Sequence, residues 1–142
     1  MTRQAPEKSE LVIEASVDRL GEVQTFIDER LENVGCPPRT QMQIGVAVEE
    51  IFVNIALYAY APGTGEAVVE LETSDDPAAV TIVFKDRGTP YDPLARRDPD
   101  ITSSAEEREI GGLGVFMTKK LMDEVIYEYR DGQNVLTLKK RL

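Results

Sequence analysis

Val48-Glu49-Glu50-Ile51-Phe52-Val53-Asn54-Ile55-Ala56 lies inside a longer stretch, Arg39 to Tyr60, whose apolar spacing sets the rest of the chain around it. Ile44, Val48, Ile51 and Ile55 recur at three- and four-residue steps, with Val46, Val53 and Leu57 beside them, so the stretch reads as a helix. Apolarity this broad belongs to a helix that is largely buried. Glu50 and Asn54 interrupt it, four residues apart and therefore on one side, about 40° apart around the axis.

The pattern outward from this helix is equally regular. Upstream, Glu10 to Ala15 reads as a short strand. Ser16 can cap a helix carrying Leu20, Val23, Ile27, Leu31 and Val34 at helical spacing, Gly35 ends it, and Pro37-Pro38 separates it from the central helix. Downstream, Ala61-Pro62-Gly63-Thr64-Gly65 is a turn by composition. Ala67 to Thr73 and Ala79 to Lys85 then read as strands joined by Ser74-Asp75-Asp76-Pro77. Periodicity stops from Gly88 to Ile110, where Pro90, Pro93, Pro99 and many charges take over; loops this long are usually functional or disordered. Leu113 to Met122 resumes a helix, and Val125 to Arg130 and Val135 to Lys140 flank an Asp131-Gly132-Gln133-Asn134 turn. The order β-α-α-β-β-loop-α-β-β predicts an α+β fold: a two-layer sandwich with a mixed, mostly antiparallel sheet covered on one face by helices.

With 142 residues the chain is expected to form one domain, residues 1–142. No apolar run approaches the roughly 18 residues a membrane span needs, and no secretory leader is evident, so cytoplasmic residence is expected. Sixteen Lys and Arg against 26 Asp and Glu give a net charge of −10, which repels a phosphate backbone and argues against nucleic-acid binding. The chain has no histidine and one cysteine, Cys36, which excludes the common zinc sites and histidine-based triads and leaves a hard, oxygen-ligated ion such as Mg²⁺ open.

Three segments carry chemistry. A buried carboxylate or amide costs several kcal/mol unless partnered. Either something polar meets Glu50 and Asn54, or Asn54 caps a backbone group and Glu50 reaches solvent at the helix edge. In the first case Asn54 offers a neutral oxygen suited to Mg²⁺, and Glu50 a base or a water-holding group. Asp86-Arg87-Gly88 closes an apolar strand: Asp86 can accept from an exocyclic amine and Gly88 leaves room for a flat ring, or the triplet is a plain turn. Gly111-Gly112-Leu113-Gly114 opens a helix, where unpaired N–H groups attract phosphate, or it is a flexible turn.

Taken in order, the three segments resemble the boxes of the GHKL ATPase superfamily with its Bergerat nucleotide-binding fold, and within it the bacterial anti-sigma-factor serine kinases. The resemblance covers Leu11 to Leu138. It implies that Asp86 reads the adenine amino group, that Gly88 packs near the ring, and that Asn54 ligates Mg²⁺. Glu50 would be the catalytic base. Backbone N–H groups at Gly112, Leu113 and Gly114 would hold phosphates, Thr137 on the last strand would help at the adenine, and about residues 88–110 would form an ATP lid. The cofactors implied are ATP and Mg²⁺; the partners implied are an anti-anti-sigma protein as phosphoacceptor, a sigma factor and a second copy in a homodimer. Two positions depart from the pattern. Pro90 replaces a second glycine, which stiffens the start of the lid, and Tyr58 stands where relatives often carry His, Lys or Arg. Arg108 either compensates with its charge or is solvated. The rival expectations are an ATP-dependent module that sequesters a partner without catalysis, and a stand-alone histidine-kinase-type catalytic domain.

Overall fold

A computed structural model of the chain describes residues 7–75, 77–93 and 112–142. Its strands are β1 (Glu7–Glu14), β2 (Glu66–Asp75), β3 (Ala78–Asp86), β4 (Glu124–Arg130) and β5 (Gln133–Arg141). They form one five-stranded sheet in the order β1-β2-β3-β5-β4. The largely antiparallel sheet expected from sequence is antiparallel at each of these pairings. The β4–β5 hairpin turns through Asp131 (φ 54°) and Gly132 (φ 76°), the two positive φ angles that a tight two-residue hairpin requires.

Alternation along the strands separates the two faces of the sheet. On β3, Val80, Ile82, Phe84 and Asp86 are buried while Ala79, Thr81, Val83 and Lys85 are half-buried. Register carries the buried row across the sheet: Phe84 lies opposite Val69 of β2 and Leu136 of β5, and Ile82 opposite Leu71 and Leu138. The helices α1 (Leu20–Asn33), α2 (Pro38–Asn54) and α3 (Gly112–Leu121) supply the second layer. Val23, Ile27 and Leu31 of α1 and Ile44, Val48, Ile51 and Phe52 of α2 join the sheet's buried row in one core. Full burial of an aromatic or branched aliphatic side chain stabilises by about 1.5–3 kcal/mol, so Phe52 and Phe84, both fully buried, anchor the two layers to each other.

Three local features differ from the sequence expectation. Ser16 accepts a hydrogen bond from the Asp18 amide at 3.3 Å, capping a short 3₁₀ turn (Val17–Arg19) that leads into α1 rather than α1 itself. The central helix begins at Pro38, which suits a first helical position because its missing N–H would be unpaired there anyway. It leaves α geometry at Asn54 and continues as a π-helical turn, Ile55–Ala59. The expectation of no span-length apolar segment also needs correction: Pro38–Ala59 has 22 residues and contains an 18-residue window with a mean hydropathy of 1.4, enough by length and composition to cross a membrane. Its buried row in the core identifies it as the helix on which the sheet packs.

Candidate functional site

The end of β3 meets the end of the central helix at the base of the site. Gly88 lies so close to the π-helical turn that a Cβ there would sit 2.2 Å from the Ala59 carbonyl oxygen, and the Thr89 N–H donates to that oxygen at 2.9 Å. Gly88 is therefore required by its backbone neighbour, whereas the sequence suggested room for a ring. Tyr60 closes the same junction: its phenol donates to the Glu66 carbonyl and accepts the Arg87 N–H at 2.8 Å. Burial raises the Tyr60 pKa.

Asp86 is buried at the strand end, and its Oδ1 accepts from the Gly88 N–H and from Asn134 Nδ2, each at 2.9 Å. No hydrogen bond reaches Oδ2 among the described residues. Asn134, opposite Asp86 in the β3–β5 register, is also buried. Its Nδ2 donates further to the Thr89 carbonyl at 3.0 Å, and its Oδ1 accepts the Tyr91 N–H at 3.1 Å and the Tyr127 hydroxyl. Burial raises the Tyr127 pKa above its already alkaline ordinary value.

Between this cluster and the helix lies a cavity of about 240 Å³. Ile51, Ile55, Phe84 and Leu136 give it apolar walls, Asp86 and Asn134 a polar corner, Tyr58, Tyr91 and Tyr127 an aromatic rim, and Asn54 a single amide from the helix terminus. A flat ring with an exocyclic amine matches the combination of apolar walls and one unoccupied carboxylate oxygen. Asn54 is half-buried, and its side chain has no hydrogen-bond partner among the described residues.

The structure thus brings Asn54 and Asp86 to one cavity, but not every expected site residue with them. Glu50, half-buried one helical turn earlier, is not among the lining residues. Thr137 pairs with Val83 and Ile126, one residue out of step with Phe84, Leu136 and Tyr127, so it occupies the opposite face of the sheet and cannot touch the cavity. Gly112, Leu113 and Gly114 form the first turn of α3, which packs against α2. The expected lid lies outside the described residues beyond Pro93. Tyr58 lines the cavity while about half exposed, a phenol where a cation was the familiar alternative. Asn134 was not singled out from sequence, because an Asn two residues after Gly132 reads as turn chemistry; only the pairing register places it against Asp86.

An antiparallel sheet under a helical layer, with a base-sized pocket between them at the strand end, is the architecture of an ATP-binding α+β sandwich. The family described as histidine kinase-like ATPase domain matches residues 13–140, and the chain belongs to it. Among its relatives, the serine/threonine-protein kinase BtrW of Bordetella bronchiseptica is 29% identical over 100 residues, 70% of each protein. The serine-protein kinase RsbW of Listeria monocytogenes is 33% identical over 99 residues, 66% of this chain and 62% of the Listeria protein. A crystal structure of the RsbU and RsbW domains of Rv1364c from Mycobacterium tuberculosis superimposes with a TM-score of 0.68 at 20% identity, covering 96% of this chain and 32% of that one; it supports the fold alone.

Proposed function

We propose that this protein is a serine/threonine protein kinase acting as an anti-sigma regulatory factor, transferring the γ-phosphoryl group of Mg²⁺-ATP to a hydroxyl of an anti-anti-sigma protein. The reading rests above all on one observation: buried Asp86 spends Oδ1 on protein donors and leaves Oδ2 as an acceptor at an apolar cavity. A sigma factor as second partner, a homodimer and action in the cytoplasm belong to the same reading.

The residues present fit the implied groups. Asp86 provides the acceptor for an adenine amine, and the apolar walls exclude water from the ring. No cluster of three acidic, His or Cys residues that could cage a metal occurs among the described residues, so a cation here relies on the Asn54 amide oxygen together with phosphate and water oxygens, as Mg²⁺ commonly does. When bound, Mg²⁺ neutralises phosphate charge during transfer. The chain's own contribution is placement. Asn54 marks the phosphate end, and the opening turn of α3 at Gly112, Leu113 and Gly114 offers amide donors. Glu50, with no bonded partner among the described residues, accepts the proton of the attacking hydroxyl as its oxygen bonds to phosphorus and ADP leaves.

Thermal unfolding with Mg²⁺-ATP tests the site: at about a hundred times the dissociation constant the fold gains roughly 2.7 kcal/mol. Transfer of labelled phosphate to the cognate serine-bearing protein tests the reaction. A shift absent with both ATP and ADP would overturn the nucleotide reading. One observation favours a second reading, a nucleotide-dependent module that sequesters its partner without phosphorylating it: Glu50 does not line the cavity. Nucleotide binding without any transfer, unchanged by Glu50→Gln, would establish that alternative.

A further inference from the structure

Asn134 has every hydrogen-bonding position of its amide engaged. A primary amide has two N–H donors and two acceptor lone pairs. Here the donors serve Asp86 Oδ1 at 2.9 Å and the Thr89 carbonyl at 3.0 Å, with the Gly88 carbonyl a weaker 3.5 Å neighbour. The acceptor takes the Tyr91 N–H and the Tyr127 hydroxyl. Reversing the amide would set its oxygen against a carboxylate and two carbonyls and its N–H groups against two donors, so a single orientation is fixed. Its partners come from three places: the base-reading carboxylate on β3, a tyrosine on β4, and the backbone of residues 88–91, the segment that leaves β3 toward the expected lid.

We propose that Asn134 is a positioning residue that couples recognition of the base amine at Asp86 to the seating of the Thr89–Tyr91 backbone. This rests on the nucleotide reading above. Asp86 can swing only if Oδ1 gives up Asn134 or Gly88. A ligand amine on Oδ2 pins the carboxylate from its remaining side, which holds Asn134, and Asn134 then holds the Thr89 carbonyl and the Tyr91 N–H. The base thereby sets the path of the backbone leaving the pocket, independently of any contact the phosphates make. A nucleotide that lacks the amine fills the pocket without tightening that path.

The test follows the Tyr91 amide by NMR hydrogen exchange in the full chain, with Mg²⁺-ATP and with purine riboside triphosphate, which keeps the phosphates and lacks the amine. In the wild type, saturating ATP slows Tyr91 exchange about tenfold or more and the amine-free analogue leaves it nearly unchanged, the scale of one hydrogen bond to a charged group. Asn134→Ala loses the ATP-dependent slowing and brings the ratio of the two dissociation constants toward one. Asn134→Asp keeps the size and both acceptor contacts but loses the donor to the Thr89 carbonyl, and its carboxyl shares one proton with Asp86 at this distance. Tyr91 then stays protected without ligand and no longer responds to the amine, a result that general loss of stability does not produce. Equal slowing by both nucleotides in the wild type overturns the coupling, as does an unchanged ATP-to-analogue ratio in both variants. Failure of the wild type to bind either nucleotide instead rejects the reading of the pocket, so the two failures are distinct.

Discussion

The two ends of the cavity are built on different principles. At the Asp86 end, Asp86, Asn134, Tyr127 and the backbone of Gly88, Thr89 and Tyr91 satisfy one another, with a single carboxylate oxygen left over. At the other end, the side chains of Asn54, which lines the cavity, and of Glu50, one helical turn before it and outside the lining, have no bonded partner among the described residues, although both are half-buried. Preorganised groups lose little freedom when a ligand arrives, and their selectivity is built in by folding. Groups without partners spend their capacity only when ligand oxygens or a second protein reach them. Under the proposed function, the contrast gives recognition to the sheet and chemistry to the end of the central helix.

Substitutions can break or sharpen that division. The largest effect belongs to the helix: Glu50→Gln lowers phosphoryl transfer about 10²- to 10⁴-fold while leaving ATP affinity within a few-fold, measured by single-turnover transfer beside equilibrium binding. Equal losses in both would place Glu50 in the binding half and dissolve the contrast. Gly88→Ala forces a Cβ to 2.2 Å from a backbone oxygen that cannot move aside like a side chain, and lowers stability by about 3 kcal/mol in urea unfolding; a neutral result would mean that the junction yields. Asp86→Asn weakens ATP by about 1.5–3 kcal/mol in calorimetric titration and spares transfer at saturating nucleotide. The smallest effect is alkaline. The Tyr60 and Tyr127 pKa values are raised by burial, so folding favours the neutral phenols, and stability is lost as pH rises from the unfolded value of about 10 through the higher folded ones. Replacing both by Phe flattens the unfolding midpoint above that pH. A slope that survives both replacements would locate the alkaline sensitivity elsewhere.

Periodicity revealed the framework because it records which face of each element is buried. The helices and all five strands lie close to their expected places, and Asp86 and Asn54 line one cavity. What stayed hidden depended on facts that local spacing does not encode. The switch to π geometry at Ile55 leaves the apolar pattern of the helix intact, so Ile55-Ala56-Leu57-Tyr58-Ala59 reads as more of the same helix. Asn134 stands 48 residues from Asp86 and faces it only through the pairing of β3 with β5. Thr137 misled because side chains alternate along a strand, and an odd step from Asn134 reaches the other face. Gly88 stood out in the sequence for room beside a ring, yet what the structure shows against it, the Ala59 carbonyl, lies on an element that the sequence places 29 residues away.

The π-helical turn also fixes how many residues the chain must have at this point. Deleting one residue from Ile55–Ala59 would let the ordinary helical ladder run on, but it would carry everything after the deletion about 100° around the axis. Ala59 would leave Gly88 and Tyr60 would leave Glu66, severing the pocket from the turn into β2 together. The segment therefore tolerates exchange of side chains far better than a change of length, and a homologue one residue shorter here would have to rebuild both contacts to keep the same pocket.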